Sequence, residues 1–292
     1  MKQKFTKNDA LEFRKICLER IEEIDAARNA ALALSGGTDS MTILFAMLET
    51  GRKPECYTFY MDGILSKDLK ASRYVCKFFG LNLHEIKVPA DVDSIYKDVK
   101  RVLPYCEYVK KTIIQCMVPW LYIYPSVTEK RIINGIGGDD LYATQRKLRV
   151  KFAKFGDDAV IAERRFYGRD LRFSEANILR FAKEYRKENV DFYESEKMEN
   201  FLKQFSLKTI IKPYDKYPSL AAFSDYYSKG SFYRDQTEHS YQINSKLRDC
   251  HDELLKSKYN KNSSKAIIGI YNLIAKEIGN ERQCKSKGKM GI

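Results

Sequence analysis

The sequence predicts an α/β protein in which a parallel sheet carries helices on both faces, followed by a mainly helical C-terminal part. Short apolar runs alternate with amphipathic helical patterns through the first 150 residues, and this order is typical of parallel strands joined by right-handed crossovers. From residue 151 onward the pattern is mostly charged and aromatic with a helical period. We therefore expect an α/β core over 1–150 and a region over 151–292 that completes the substrate site, either as a separate unit or within the same domain.

Hydrophobic period and turn residues predict the elements in order. Apolar side chains spaced by three and four residues indicate helices, whereas alternating or continuous apolar runs indicate strands. Gly51 and Gly80 follow two of the helical patterns, and glycine is the residue that most often ends a helix. The expected strands are 30–34, 56–60, 81–88 and 131–135. The expected helices are 8–28, 39–50, 66–79, 91–102, 108–123, 174–188 and 195–206.

Charge and hydropathy limit the classes of partner. The 292 residues carry a formal net charge of +13, which indicates either a nucleic-acid surface or a general attraction to nucleotides and other polyanions. A nucleic-acid partner is open but not favoured, because no recognised nucleic-acid motif is present. No apolar stretch approaches the roughly 20 residues of a membrane helix, and residues 1–7 lack the apolar core of a signal peptide. We expect a cytoplasmic protein with no membrane partner.

Cysteine and histidine usage argues against a metal–thiolate or disulfide framework. The number of cysteines is odd, their spacings are wide, and none forms a CxxC pair, so we expect reduced thiols rather than disulfides or a zinc site. The three histidines show no metal-ligand spacing either. The cysteines are Cys17, Cys56, Cys76, Cys106, Cys116, Cys250 and Cys284.

The segment Ser35-Gly36-Gly37-Thr38-Asp39-Ser40 is the most informative part of the chain. It lies between the apolar runs 30–34 and 41–48, which predict a buried strand and a helix. The two glycines allow the backbone to approach an anion, and the N–H groups of the turn and of the helix start can bind phosphate. Asp39 would repel a bare phosphate, so we expect a bridging Mg²⁺. The alternative is an ordinary capped turn, whereas Walker A and GxGxxG patterns are absent from this segment.

A second glycine-rich turn, Gly135-Ile136-Gly137-Gly138-Asp139-Asp140-Leu141-Tyr142, follows the expected strand 131–135. Both turns thus follow strands of one predicted parallel sheet, and ligands bind beyond the carboxyl ends of such strands. The alternative interpretation is a simple Gly-Asp turn.

These two segments resemble motifs of one enzyme superfamily. The segment 35–40 resembles the SGGxDS pyrophosphate loop of the N-type ATP pyrophosphatases, and 135–142 is similar to the GxGxDE(L/I)(F/Y) segment of asparagine and β-lactam synthetases. The chain is thus identified as an asparagine synthetase-like member, with the resemblance strong over 5–145 and thin beyond. It implies an adenine nucleotide alpha hydrolase-like, Rossmann-like fold that binds ATP while a substrate oxygen attacks the α-phosphorus.

The resemblance also implies the site residues. Asp39 and Asp139 would share a Mg²⁺ ion, and Gly135 and Gly137 would approach the nucleotide. Two acids from different strand ends on one cation is the arrangement that phosphate-bound Mg²⁺ favours. The remaining contacts to ATP and its pyrophosphate would come from Leu34, Ser35, Gly36, Gly37, Thr38 and Ser40.

Several positions depart from the family pattern beside the acceptor substrate. Ile136 stands where the family has an acid, Asp140 where Glu is typical, and Ile211 where an Arg precedes the family's PF segment. Asn244 replaces the Arg of the family's R-x-K segment, whose Lys corresponds to Lys246. By this match Lys246 would stabilise charge as pyrophosphate leaves and Asp140 would act as an acid–base group or substrate contact. The departures leave the acceptor open.

The implied function is an ATP-dependent, AMP-forming ligase that adenylates a carboxylate or carbonyl oxygen of a small acid or base and transfers ammonia or an amine to it. Asparagine synthetases carry a glutaminase nucleophile, a Cys directly after Met1, where this chain has Lys2. Nitrogen is therefore expected from ammonia, another amine or a separate glutaminase subunit. Two alternatives remain: a PP-loop ATPase that modifies a nucleobase in tRNA or DNA, which the basic charge favours, and an inactive nucleotide-binding scaffold, which the intact acids argue against.

Overall fold

The five strands of the fold form a single parallel sheet. The computed structural model describes residues 2–106, 109–144, 146–158, 160, 173–230, 232, 244–260 and 266–288. The strands are β1 (Ala31–Ala33), β2 (Cys56–Met61), β3 (Leu83–Val88), β4 (Arg131–Asn134) and β5 (Glu188–Asp191). Their order is β3-β2-β1-β4-β5, and every neighbouring pair is parallel. The chain builds outward from β1 to β3 and then returns to the other side of β1 for β4, so a crevice forms at the carboxyl ends of β1 and β4.

Helices connect the strands and make up most of the C-terminal part. Those of the first half are α1 (Lys7–Ile24), α2 (Thr38–Glu49), α3 (Lys67–Phe79), α4 (Val92–Val102), α5 (Lys111–Met117), α6 (Trp120–Ser126), α7 (Gly138–Leu141) and α8 (Arg146–Phe155), with a 3₁₀ turn at Leu103–Tyr105. Those of the second half are α9 (Phe173–Glu184), α10 (Glu196–Leu202), α11 (Leu207–Ile211), α12 (Tyr217–Ala222), α13 (Ser224–Gly230), α14 (Leu247–Lys258) and α15 (Ala266–Gly288).

Both faces of the sheet are covered by helices. Leu32 and Ile133 are fully buried in a cluster that contains the apolar faces of α1 and α2. Their neighbours Ala31 and Ile132 are buried in a second cluster, which includes side chains of α4, α5, α6, α14 and α15. Successive strand residues point to opposite faces, so the continuous apolar character of β1 follows from burial on both sides.

The expected fold class is confirmed, and most expected elements lie within a few residues of their predicted ends. Gly80 ends α3 in the left-handed conformation, with φ 63°. The expected helix 108–123 is two helices, because Pro119 lacks the N–H that would continue α5. None of the helices among the described residues combines the length and apolar character needed to cross a bilayer.

β5 is the element that the sequence pattern did not predict. The expected helix 174–188 ends at Glu184, and Glu188–Asp191 then pairs with β4 at the edge of the sheet. All four of its residues are only half-buried, and its polar letters carry neither an apolar run nor an alternation. The sheet thus contains strands from both sides of residue 150, and the division into two regions there stays a prediction. The basic run 164–169 lies outside the described residues.

Candidate active site

The turn after β1 is shaped by its own serines. The Ser40 hydroxyl donates to the carbonyl of Gly37 at 3.1 Å and accepts from the Ser35 N–H at 3.2 Å. The Gly37 N–H in turn donates to the Ser35 hydroxyl at 3.3 Å. Gly37 is the N-cap of α2 and has no side chain to cap the helix, so the first N–H groups of α2 remain donors for an anion.

α3 fixes the same turn from the other side. The Ser72 hydroxyl donates to the carbonyl of Leu34 at 2.9 Å, which holds the end of β1. Gly36 has φ +69°, and a β-carbon there would lie 2.5 Å from the β-carbon of Ala71. Only glycine satisfies both the conformation and the space.

The turn after β4 packs directly on the first turn of α2. Asn134 organises it, because its side-chain carbonyl accepts from the Ile136 N–H at 2.8 Å. Gly137 follows in the left-handed region with φ +90°. A β-carbon at Gly135 would lie 3.0 Å from the β-carbon of Asp39, and one at Gly138 would lie 2.6 Å from its carboxylate carbon. The glycines therefore allow the two strand ends to converge.

Asp39 and Asp139 meet at a lysine that the sequence patterns did not identify. The Lys216 ammonium lies 2.5 Å from Oδ2 of Asp39 and 2.7 Å from Oδ1 of Asp139. Lys216 precedes α12 in the left-handed conformation, with φ 56°, and only 13% of its side chain is exposed. One lysine among 52 basic residues gives no motif signal, because its role depends on where α12 packs.

A chain of contacts supports both Asp139 and the segment that carries Lys216. The Thr144 hydroxyl donates to Oδ1 of Asp139 at 2.9 Å, and the Arg149 Nε donates to the Thr144 carbonyl at 2.7 Å. The same guanidinium pairs with the carboxylate of Asp215, which directly precedes Lys216 in the chain. α8 is thereby connected to Asp139 and to the segment that carries Lys216.

Three buried tyrosines support the backbone beneath the acids. The Tyr193 hydroxyl donates to the Asp39 carbonyl at 3.0 Å, and the Tyr227 hydroxyl donates to the Thr38 carbonyl at 3.4 Å. Tyr142 contacts the ring of Tyr193 edge-on, with centroids 5.8 Å apart, and its hydroxyl lies 2.6 Å from that of Ser219. These contacts hold the first turn of α2 in place.

Asp39, Asp139 and Lys216 form a charged cluster, and their pKa values follow from burial and from the charges of the other two members. Burial raises the pKa of Asp39 to about 6, and Asp139 acts in the same direction while the Lys216 ammonium opposes both. For Asp139, partial desolvation also disfavours the charged form although 53% of its side chain is exposed, but Lys216 and Thr144 prevail and lower its pKa. Burial alone would lower the pKa of Lys216, yet the two carboxylates raise it. With all three groups ionised, one negative charge is uncompensated, which favours binding of a further cation.

Comparison with known proteins identifies the family of the chain. The family model described as asparagine synthase matches residues 22–240, which include both glycine-rich turns and Lys216. The chain belongs to the asparagine synthase family. The family's members are ATP-using enzymes of the PP-loop type.

The other comparisons are less informative. None of the curated proteins compared with the chain matches it significantly. Among solved structures, the chain is similar to the U34-tRNA thiolase NcsA from Methanococcus maripaludis with its [4Fe-4S] cluster, at 13% identity and a TM-score of 0.36. That likeness covers 90% of this chain and 80% of the thiolase, and at this level it carries no information on activity.

The donor set fits a Mg²⁺ ion that the family's ATP chemistry implies. Oδ1 of Asp39 is buried and makes no hydrogen bond, so one carboxylate oxygen is available for a further cation. Within the described residues no group of three or more His, Cys, Asp or Glu side chains could hold a metal alone. Mg²⁺ typically binds one or two carboxylates and completes its shell with phosphate oxygens and water, as Asp39 and Asp139 would allow.

The predicted site residues fall into two groups. The structure brings together the turn 35–40, Gly135, Gly137 and Asp139, while Asp140 is the next residue of α7. Lys246 lies instead at the start of α14 with 52% of its side chain exposed, and its ammonium is 3.5 Å from the Asp249 carboxylate. Its catalytic role stays a prediction, as does that of Asp140. The ammonium that contacts the acids is that of Lys216.

Proposed function

We propose that the protein is an ATP-dependent carbon–nitrogen ligase that forms AMP and pyrophosphate. It adenylates a carboxylate or carbonyl oxygen of a small acid or base, and ammonia or an amine then displaces AMP. The observation that carries the proposal is the convergence of Asp39 and Asp139, from the ends of two parallel strands, beside an uncapped glycine-rich helix start. Retention of both acids argues against an inactive scaffold.

Each part of the cluster has a role in this reaction. The N–H groups at the start of α2 would donate to the β- and γ-phosphate oxygens and so bind the leaving pyrophosphate. Asp39 and Asp139 would hold Mg²⁺, which neutralises charge on these phosphates when bound. The Tyr193 and Tyr227 contacts to α2 would keep the donors fixed, so that little reorganisation is needed during transfer.

The proposed reaction has two steps, adenylation of the acceptor and displacement of AMP by the amine. The acceptor oxygen attacks the α-phosphorus, and the bond from that phosphorus to the β-bridging oxygen breaks to release pyrophosphate. The amine nitrogen then attacks the activated carbon, AMP leaves with the original acceptor oxygen, and the amine loses a proton. Asp140, next to Asp139 on α7, is the residue we assign to receive this proton.

An isotope experiment tests the reaction. Candidate acids labelled with ¹⁸O in the carboxylate are incubated with ATP, Mg²⁺ and either ammonium, a free amine or glutamine. We expect pyrophosphate and AMP in equal amounts, with one ¹⁸O atom in AMP, and no glutamate from glutamine. Asp39→Asn is the inactive control. Release of ADP and inorganic phosphate, or AMP without the label, would overturn the proposal.

A second candidate function is modification of a nucleobase in tRNA or DNA by the same adenylation chemistry. The net charge of +13 supports it. So does α8, whose exposed Lys147 and Lys154 extend from the helix that Arg149 connects to the acidic pair. A polynucleotide lying along α8 would bring its phosphates to one side of the cluster, and the salt dependence of its binding tests this placement.

A further inference from the structure

A cation already lies between the two acids, and this cation is a side chain. The Lys216 ammonium contacts Oδ2 of Asp39 at 2.5 Å and Oδ1 of Asp139 at 2.7 Å. It thereby occupies the position between the carboxylates that an ion shared by both would take. The remaining oxygen of Asp39, Oδ1, is buried without a partner.

Lys216 and a metal ion cannot use the same pair of oxygens at once. Mg²⁺ needs oxygen ligands at about 2.1 Å, so an ion bridging Oδ2 of Asp39 and Oδ1 of Asp139 would be in contact with the ammonium. Two such positive charges repel strongly in a partly buried site. An ion that bridges these two oxygens would therefore displace the ammonium from them.

The surroundings limit where the ammonium can go. Only 13% of the Lys216 side chain is exposed, so movement into bulk water would require the packing before α12 to open. Lysine has a flexible stem with three rotatable donors, and phosphate oxygens bound at the start of α2 would lie beside the acids. A nucleotide that brings its own anionic oxygens offers the ammonium a new partner within the site.

We propose that Lys216 is an exchangeable internal cation: it neutralises Asp39 and Asp139 in the free protein and passes to the phosphates when Mg²⁺ arrives with nucleotide. The proposal rests on the proposed function, since it takes ATP as the ligand. It predicts that metal and nucleotide bind with strong positive coupling. Metal alone competes against an ion pair that is already formed, whereas metal with nucleotide leaves every charge partnered.

Binding of Mn²⁺, followed by the loss of its free-ion electron paramagnetic resonance signal, tests the exchange without turnover. The full chain is titrated alone and with α,β-methylene ATP, which cannot be cleaved between the α- and β-phosphates. A parallel titration of the analogue without protein is subtracted, because the analogue itself binds Mn²⁺. For the wild type we then expect Mn²⁺ to bind at least tenfold more tightly with the analogue than without it. Lys216→Met leaves two uncompensated carboxylates and is expected to bind Mn²⁺ at least tenfold more tightly than the wild type when nucleotide is absent.

Two further variants separate the role of position from that of charge. Lys216→Arg keeps the positive charge and is expected to bind Mn²⁺ alone as weakly as the wild type. Lys197→Met removes one charge from an exposed side chain that pairs with Glu19, and is also expected to match the wild type. Circular dichroism checks that each variant is folded, and Lys216→Gln, which removes the charge but keeps a polar side chain, replaces Lys216→Met if that variant is not.

The outcomes distinguish the exchange from the ligase proposal. Equal Mn²⁺ affinity of the wild type with and without the analogue, or of Lys216→Met and the wild type without it, would overturn the exchange even if AMP and pyrophosphate are formed. Strong coupling that Lys216→Met removes would support the exchange even if no acceptor acid is adenylated. In that case only the ligase proposal would fail.

Discussion

The α-carbon of Gly138 packs against the carboxylate of Asp39, so that a β-carbon at residue 138 would lie 2.6 Å from the carboxylate carbon. The two residues are 99 positions apart in the chain and belong to turns after different strands. Their contact sets the distance between Asp39 and the neighbouring Asp139. The close packing of the two turns therefore requires glycine at position 138.

Gly138→Ala is expected to displace the Asp39 carboxylate. Its β-carbon would lie less than 3.0 Å from that carboxylate, a distance that β-carbons in proteins essentially never show. A displacement near 1 Å at a reacting centre costs on the order of 100-fold in rate. Turnover and Mn²⁺ binding with the ATP analogue would measure the loss. Gly269→Ala is the matched control, since Gly269 is on the exposed side of α15 with nothing within 4 Å; it should keep activity and stabilise the helix by about 1 kcal/mol.

Asp39→Asn and Asp139→Asn are each expected to abolish AMP formation, because each removes one of the two anionic ligands proposed for Mg²⁺. The fold should persist, since Asp139 is exposed and the Asn side chain keeps the size of Asp39. Activity assays and circular dichroism on the same samples would measure both effects. Near-normal turnover of either folded variant would show that the metal site is assigned incorrectly.

Features of the site that are local in the sequence could be predicted, whereas features that depend on long-range packing could not. The turns 35–40 and 135–142 are identified by sequence alone, because strand, glycine turn and helix start are consecutive in the chain. Lys216 is not, since its contact with Asp39 depends on the packing of α12. β5 could not be predicted for a related reason. Its four residues, three of them polar, are held by pairing with β4 and by the edge position, and neither leaves a local pattern.

Arg52→Met is expected to destabilise the protein by about 3–5 kcal/mol, the usual cost of leaving one charge of a buried pair unpartnered. The guanidinium of Arg52 donates to Asp25 at 3.0 Å, and both residues are buried. Asp25 also accepts from the Ala30 N–H at 3.1 Å, so the pair joins the end of α1 to β1. Urea unfolding would measure the change. Arg28→Met breaks only an exposed pair with Glu22, so its expected effect is below about 1 kcal/mol.

Asp98 is expected to make stability decrease as pH rises. Burial raises its pKa to about 6, although the Tyr122 hydroxyl, which donates to both carboxylate oxygens, opposes this. The ordinary value is 3.8, so the folded protein binds this proton more tightly than the unfolded chain. The contribution of Asp98 is therefore favourable at pH 4 and lost through pH 6, by up to about 3 kcal/mol for a two-unit shift.

Asp98→Asn tests this dependence, because an amide cannot ionise but can still accept from Tyr122. The free energy of unfolding of the variant, minus that of the wild type, should increase between pH 4.5 and pH 7.5. Asp93→Asn, on an exposed residue of the same helix, is the matched control for the substitution. A difference for Asp98→Asn that is constant with pH would contradict the assignment.

The basic surface is expected to serve nucleotides and small acids rather than polynucleotides. Its charges are diffuse, and no zinc knuckle or RRM signature accompanies them. Duplex DNA and tRNA should then bind weakly and without saturation at 200 mM salt in a filter-binding assay. If binding is instead tight and saturable there, the logarithm of the binding constant should fall with the logarithm of the salt concentration, with a slope of about −0.9 per phosphate neutralised.

Replacement of Lys147 and Lys154 by Glu would then reduce the magnitude of that slope by about 2. Lys15→Glu combined with Lys130→Glu, on exposed side chains elsewhere in the chain, would reduce it less. That result would favour the base-modifying function, because it would place the polynucleotide on α8, next to the acids that Arg149 and Thr144 support.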